Sequence, residues 1–147
     1  MSLRNAADSG TYADQVSMLL QLADEGVRLQ PQADAAIRVC GSPGGASNEV
    51  AEALGEALRH YSRLYHRVDG LEPDTDPDLA QTVRDLRGQL SYHLHMLRDA
   101  GDLVFSGRVV ARNERFRREL AATGLGPHAR GLTLLRNALL ARRSLLP

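Results

Sequence analysis

The stretch LAQTVRDLRGQLSYHLHMLRDA, residues 79–100, decides the fold. Read as one helix, it lines up Leu79, Val83, Leu86, Leu90, Leu94 and Leu97. Steps of four and three keep these residues on a single stripe, because a helix turns once in 3.6 residues. Arg84, Asp85, Arg87, Gln89 and Asp99 fall mostly on the other side. The start is well marked: Asp76 suits a cap, Pro77 suits the first helical position, and Asp78 faces the positive end of the helix dipole. Gly101 is the expected stop. Read instead as two short helices broken near Gly88, the same letters resemble a DNA-reading element.

The neighbouring segment supports the first reading. Ser47 is placed to cap a helix in which Val50, Leu54, Ala57, Tyr61, Leu64 and Val68 repeat at heptad spacing. That helix is about 33 Å long at 1.5 Å per residue. The turn DGLEPDTDP, residues 69–77, then leads into a helix of similar length. Two matched helices joined by a short loop form an antiparallel hairpin.

Composition points the same way. Hydrophobic residues make up 43% of the 147, but aromatics only 4%. The core is therefore mostly Leu, Ala and Val, which favours helix over sheet. The length fits one domain, residues 1–147, with a loose stretch at 1–10 and a Gly/Pro/Ser linker at 41–47. Thr11 is a candidate cap for a first helix carrying Val16, Leu19, Leu20, Ala23 and Val27, with Pro31 as its limit. Residues 33–39 read as a short helix or an extended piece. Residues 102–120 read either as a helix with Val109, Asn113, Phe116 and Leu120 on one face, or as strands 103–105 and 108–111 before a helix that starts near Asn113. A last helix is expected from Pro127 or His128 to Ser144, with Leu132, Leu135, Leu139 and Leu146 apolar.

Charge bounds the partners. Net charge is zero, yet residues 1–97 hold 8 Arg against 14 acids, and residues 98–147 hold 10 Arg against 4. A basic second half suits an acidic protein surface or a nucleic-acid backbone. All 18 basic residues are Arg, which reads as coding bias. Cys40 is the only cysteine, so no intrachain disulfide and no thiolate cluster can form. No apolar run approaches the roughly 20 residues of a membrane span. The first ten residues lack the apolar core of a signal peptide, and the expected place is the cytoplasm.

Chemistry-bearing patterns are sparse. Glu49, Glu52 and Glu56 resemble half of the metal-binding motif of the all-α nucleotide pyrophosphohydrolases. Magnesium there needs a second carboxylate pair on the next helix, and Asp78 and Asp85 do not form it. The glutamates read as a solvated face. His60, His66, His93, His95 and His128 have no ligand spacing on one helix face and read as surface or seam-edge residues. Neither a metal, a cofactor nor a catalytic set is expected.

Residues 78–101, DLAQTVRDLRGQLSYHLHMLRDAG, resemble the helix-turn-helix of ArsR-type winged-helix repressors. The Leu79–Ala80 pair and the Ser91–Tyr92–His93–Leu94 run carry the likeness. The resemblance implies that Arg87, Gln89, Ser91, Tyr92 and His95 face the DNA major groove. Residues 103–112 would form the wing, with Arg108 and Arg112 on phosphates. The continuous-helix reading uses the whole stripe, the cap and the partner helix. It conflicts only with Gly88, whose cost of about 1 kcal/mol a packed stripe outweighs. The winged-helix reading must bury Asp85 or distort the turn.

The expected fold is therefore an all-α antiparallel bundle of four or five helices around a long central hairpin. The expected role is a non-catalytic binding or assembly module. It self-associates through its heptad-patterned helices or holds a protein partner, with winged-helix DNA binding as the alternative.

Overall fold

The computed structural model describes residues 2–42, 47–71, 76–105 and 111–146, with side chains from residue 12 onward except at 111–113. Among them are five α-helices: α1 (Ser2–Gly41), α2 (Asn48–Asp69), α3 (Pro77–Phe105), α4 (Ala111–Thr123) and α5 (Arg130–Ser144). A single 3-10 turn, Pro127–Ala129, precedes α5. The fold is all-α, as the composition implied.

The caps act as the sequence suggests. The Ser47 hydroxyl accepts from the Val50 amide at 3.2 Å, and Asp76 accepts from the amides of Asp78 and Leu79 at 2.8 and 3.1 Å. Each cap satisfies backbone donors that the first helical turn leaves without partners.

The central hairpin forms. Leu54, Ala57, Tyr61, Leu64 and Val68 of α2 are buried, and Val50 packs at the edge of the core. Leu79, Leu86, Leu90, Leu94 and Leu97 of α3 are buried opposite them, with Val83 partly covered. Arg87 on α3 pairs with Asp69 on α2, and the Leu54 side chain lies near Gly101, so the two helices run antiparallel.

Several expectations are corrected. α3 is one helix through Gly88, as the continuous stripe implied, but it continues past Gly101 to Phe105. Gly88 faces open space, so its lack of a side chain breaks nothing. There is accordingly no turn between Leu79 and Leu97, and residues 103–105 are helix rather than a wing strand. Residues 106–110, which include Arg108 and Val109, lie outside the described residues. The backbone of residues 2–10 is helical, and Thr11 lies inside α1 rather than capping it. Pro31 does not end α1 either. An interior proline costs about 3 kcal/mol through its missing amide and its clash with the preceding turn. Beyond it, α1 buries Ala33, Ala36, Ile37 and Cys40, and that packing outweighs the cost.

α1 is the spine, touching all four other helices. The contacts of α4 and α5 follow it in one register. Arg38 reaches Ala122, Asp34 reaches Leu125, Gln30 reaches Thr133, Asp24 reaches Arg136 and Ser17 reaches Arg143. α4 and α5 therefore lie end to end along α1, antiparallel to it. The five helices make four columns, and the fourth is interrupted at residues 124–129. At one place α1 and α4 meet backbone to backbone. A side chain at Gly41 would strike the Arg117 carbonyl and the Ala121 amide.

Leu90 is fully buried midway along α3. Leu90→Ala should cost about 2–5 kcal/mol, the usual range for a core leucine truncation. Urea unfolding reads this directly, and an unchanged midpoint would remove Leu90 from the core.

Candidate functional site

The interruption in the fourth column leaves backbone groups that a continuous helix would have paired. Side chains from the other columns replace those partners. Tyr92 donates to the Leu125 carbonyl at 2.5 Å, and Asp34 accepts from the Leu125 amide at 2.9 Å. Arg38 donates to the Ala122 carbonyl at 2.8 Å while pairing with Asp34. Gly124, at φ +58°, turns the chain in the left-handed region, and its own amide returns to Leu120.

At the same level sits a buried polar hub. Gln30 donates through Nε2 to the Ala129 carbonyl at 2.8 Å and lies 2.9 Å from Nε2 of His93. Nδ1 of His93 is 2.6 Å from the Gln89 carbonyl. A carbonyl only accepts, so Nδ1 carries the hydrogen and Nε2 accepts from Gln30. Thr133 on α5 donates to Oε1 of Gln30 at 3.3 Å. Tyr61 stacks on the imidazole with ring centres 5.0 Å apart, and its hydroxyl donates to the Gly26 carbonyl at 2.7 Å. Four helices and the 3-10 turn thus meet at one histidine. His93 is 0% exposed, which corrects its placement at the surface or seam edge.

Burial pulls the His93 pKa below the usual histidine range, and the Gln89 carbonyl offsets this only in part. Burial likewise pushes the phenols of Tyr61 and Tyr92 up. The Cys40 thiol, buried against the core, is pushed up to about 11. A thiol held neutral in this way is a poor nucleophile. The hub is built of neutral groups with matched donors and acceptors. It suits holding helices in register rather than moving protons.

The second feature is the outer face of α5. Leu132 and Leu139 point into the core, as the sequence suggested, and Leu135 and Leu146 pack at its edge. A second stripe, Leu134, Ala138, Ala141 and Leu145, runs along the exposed side. Leu134 is 65% exposed and Leu145 is 85% exposed. Beside it, between α3 and α5, lies an open groove of about 500 Å³ lined by Arg84, Asp85, Gly88, Gln89, Gly131, Leu134 and Leu135. The Gln89 amide lies where a side chain on Gly131 would stand, and its Oε1 is buried without a hydrogen-bond partner among the described residues.

The residues singled out for DNA contact are divided by the helix. Arg87, Ser91 and His95 share one exposed side of α3, with Arg84 and Arg98 beside them. Arg87 is paired with Asp69 at 3.3 Å and His95 with Asp99 at 3.0 Å. Gln89 and Tyr92 turn the other way, against Gly131 and Leu125. Arg108 is outside the described residues, as is the side chain of Arg112, whose backbone lies in α4. Glu49, Glu52 and Glu56 are exposed on α2. Among the described residues, no three His, Cys, Asp or Glu side chains converge as a metal site would require. Nor is any helix among them long and apolar enough to cross a membrane.

Sequence reasoning missed the α5 stripe, though its signal was present. Four apolar residues at steps of four, three and four lie beside a separate core-facing set on the same helix. Gln30 left no such signal, since nothing local distinguishes it from the exposed Gln32.

The hub makes stability depend on pH. His93 is held neutral when folded, so its folded pKa lies below the unfolded value near 6.5. Its contribution is complete above about pH 6.5 and is lost as pH falls through that value toward the folded pKa. Protonation would set a second N–H against the Gln30 amide. The urea midpoint should fall from pH 7.5 to pH 5, and His93→Gln should flatten that slope. Equal slopes in both proteins would remove His93 as the cause.

Comparison with known protein families, with characterised proteins and with solved structures finds no match to this chain.

Proposed function

We propose that this protein is a non-catalytic helical assembly module of the cytoplasm that associates with further copies of itself. The observation that carries the reading is the uncovered apolar stripe of α5. Leu134, Ala138, Ala141 and Leu145 repeat at heptad spacing on a helix whose opposite face is already packed. Isolated exposed leucines are ordinary on a surface, but a helix-long apolar stripe beside a groove favours an interface.

The route to assembly differs from the one the heptads of α2 and α3 suggest. Those seams are consumed within the chain, where they form the core. Two of the basic residues near the C-terminal end are engaged within the chain: Arg136 pairs with Asp24 at 3.1 Å, and Arg143 donates to Ser17 at 2.8 Å. The other two α5 arginines, Arg130 and Arg142, are in no ion pair among the described residues.

Duplex DNA binding through α3 is the second reading. It is favoured by the shared exposed side of Arg84, Arg87, Ser91, His95 and Arg98. It is disfavoured by the two ion pairs on that side and by the inward turn of Gln89 and Tyr92.

Sedimentation velocity over a concentration series tests the first reading. The expected result is a species larger than one chain, converted to monomer by Leu134→Asp with Leu145→Asp. Both positions are exposed, so the helical circular dichroism of that variant should be unchanged. A monomer at every concentration would reject assembly. Binding to random-sequence duplex DNA that weakens steeply with salt would promote the second reading.

A further inference from the structure

The stripe on α5 is a palindrome. Leu134, Ala138, Ala141 and Leu145 read large, small, small, large from either end. Position 134 lies as far before the midpoint of the stripe as 145 lies after it, and the same holds for 138 and 141. A two-fold axis through that midpoint, perpendicular to the helix, therefore sets Leu134 against Leu145 of a second copy. The same axis sets Ala138 against Ala141 of that copy. Closed dimers demand such a self-complementary patch. The two alanines at the centre allow close helix approach, and the leucines close the ends.

The groove agrees with this register. Leu134 forms one wall, and the missing side chain of Gly88 leaves open space there. Antiparallel pairing brings the 85% exposed Leu145 of the second copy to the level of that wall.

Charge also agrees. Arg142 lies on the flank of α5 that faces α3, the side of Leu135 and Gly131. It is half-buried there and in no ion pair among the described residues. Asp85 is exposed at the rim of the groove, where its described partner is the uncharged Gln81 at 2.7 Å. Two-fold pairing places Arg142 of one copy at the level of residue 137 in the other. That is within about 5 Å along the axis of Leu134 and Leu135, the residues beside Asp85. The remaining arginines of α5 do not oppose the pairing. Arg136 and Arg143 turn toward α1, and Arg130 lies at the far end.

We propose that a second copy of this chain covers the α5 face as a two-fold antiparallel dimer. Leu134 packs on Leu145 of the other copy, Ala138 packs on Ala141, and Asp85 pairs with Arg142. The inference rests on the assembly reading above and specifies its geometry.

Cysteine crosslinking tests it. Leu134→Cys and Leu145→Cys are made as separate full-length chains. In each alone, the two copies of the cysteine lie about 16 Å apart along the helix axis and should not join. The mixture should form an interchain disulfide on oxidation. Charge reversal supplies an independent readout: Asp85→Arg should weaken the dimer several-fold, and adding Arg142→Asp to the same chain should restore it. An oligomeric wild type whose mixed cysteine chains stay unlinked would overturn this geometry and leave the assembly reading standing. So would an Asp85→Arg defect that Arg142→Asp fails to rescue. A monomeric wild type would overturn both.

Discussion

The bundle depends on one constraint, which is the interruption of its fourth column at residues 124–129. A helix break inside a packed bundle leaves amides and carbonyls without their helical partners, several of them shielded from water. Each unpaired buried group costs about 1–3 kcal/mol. Tyr92, Asp34, Arg38 and Gln30 reach in from α1 and α3 to pair with them. Those side chains in turn require the columns to stand at one height. Gln30 can reach Ala129, Thr133 and His93 together only when α1, α3 and α5 are in this register.

A core of leucine and alanine does not supply such a register by itself. Apolar side chains of similar size interdigitate almost equally well after a slide, and volume more than identity sets their energy. A satisfied polar hub behaves differently, because a slide of one turn strands several donors and acceptors at once. The neutral imidazole of His93 fits that role. It offers one donor and one acceptor, and both are used. The stacked ring of Tyr61 covers its face and ties α2 to the same point. The Tyr61 hydroxyl reaches the Gly26 carbonyl, close to where Pro31 removes an amide from α1.

The hub also explains why α5 presents the face it does. Thr133, Arg136 and Arg143 bind its inner side to α1, and Leu132 and Leu139 fill the core beneath. With the helix fixed in rotation, the opposite stripe faces solvent. The exposure of Leu134 and Leu145 is therefore a consequence of polar contacts on the far side of the helix.

By itself the sequence determined the all-α class, the α2–α3 hairpin, the caps at Ser47 and Asp76 and most of the core leucines of α3. These rest on short-range periodicity and on backbone donors that a residue a few positions away must satisfy. Only the tertiary structure decided that α1 runs through Pro31, that α3 passes Gly101, and that His93 is buried. It also decided that α4 and α5 share one column, and that Gln89 and Tyr92 turn away from Arg87 and His95. In each case a local preference of a few kcal/mol was set against packing with residues distant in sequence. A proline or glycine announces its own cost at its position. The burial that outweighs it comes from helices whose placement no local pattern records.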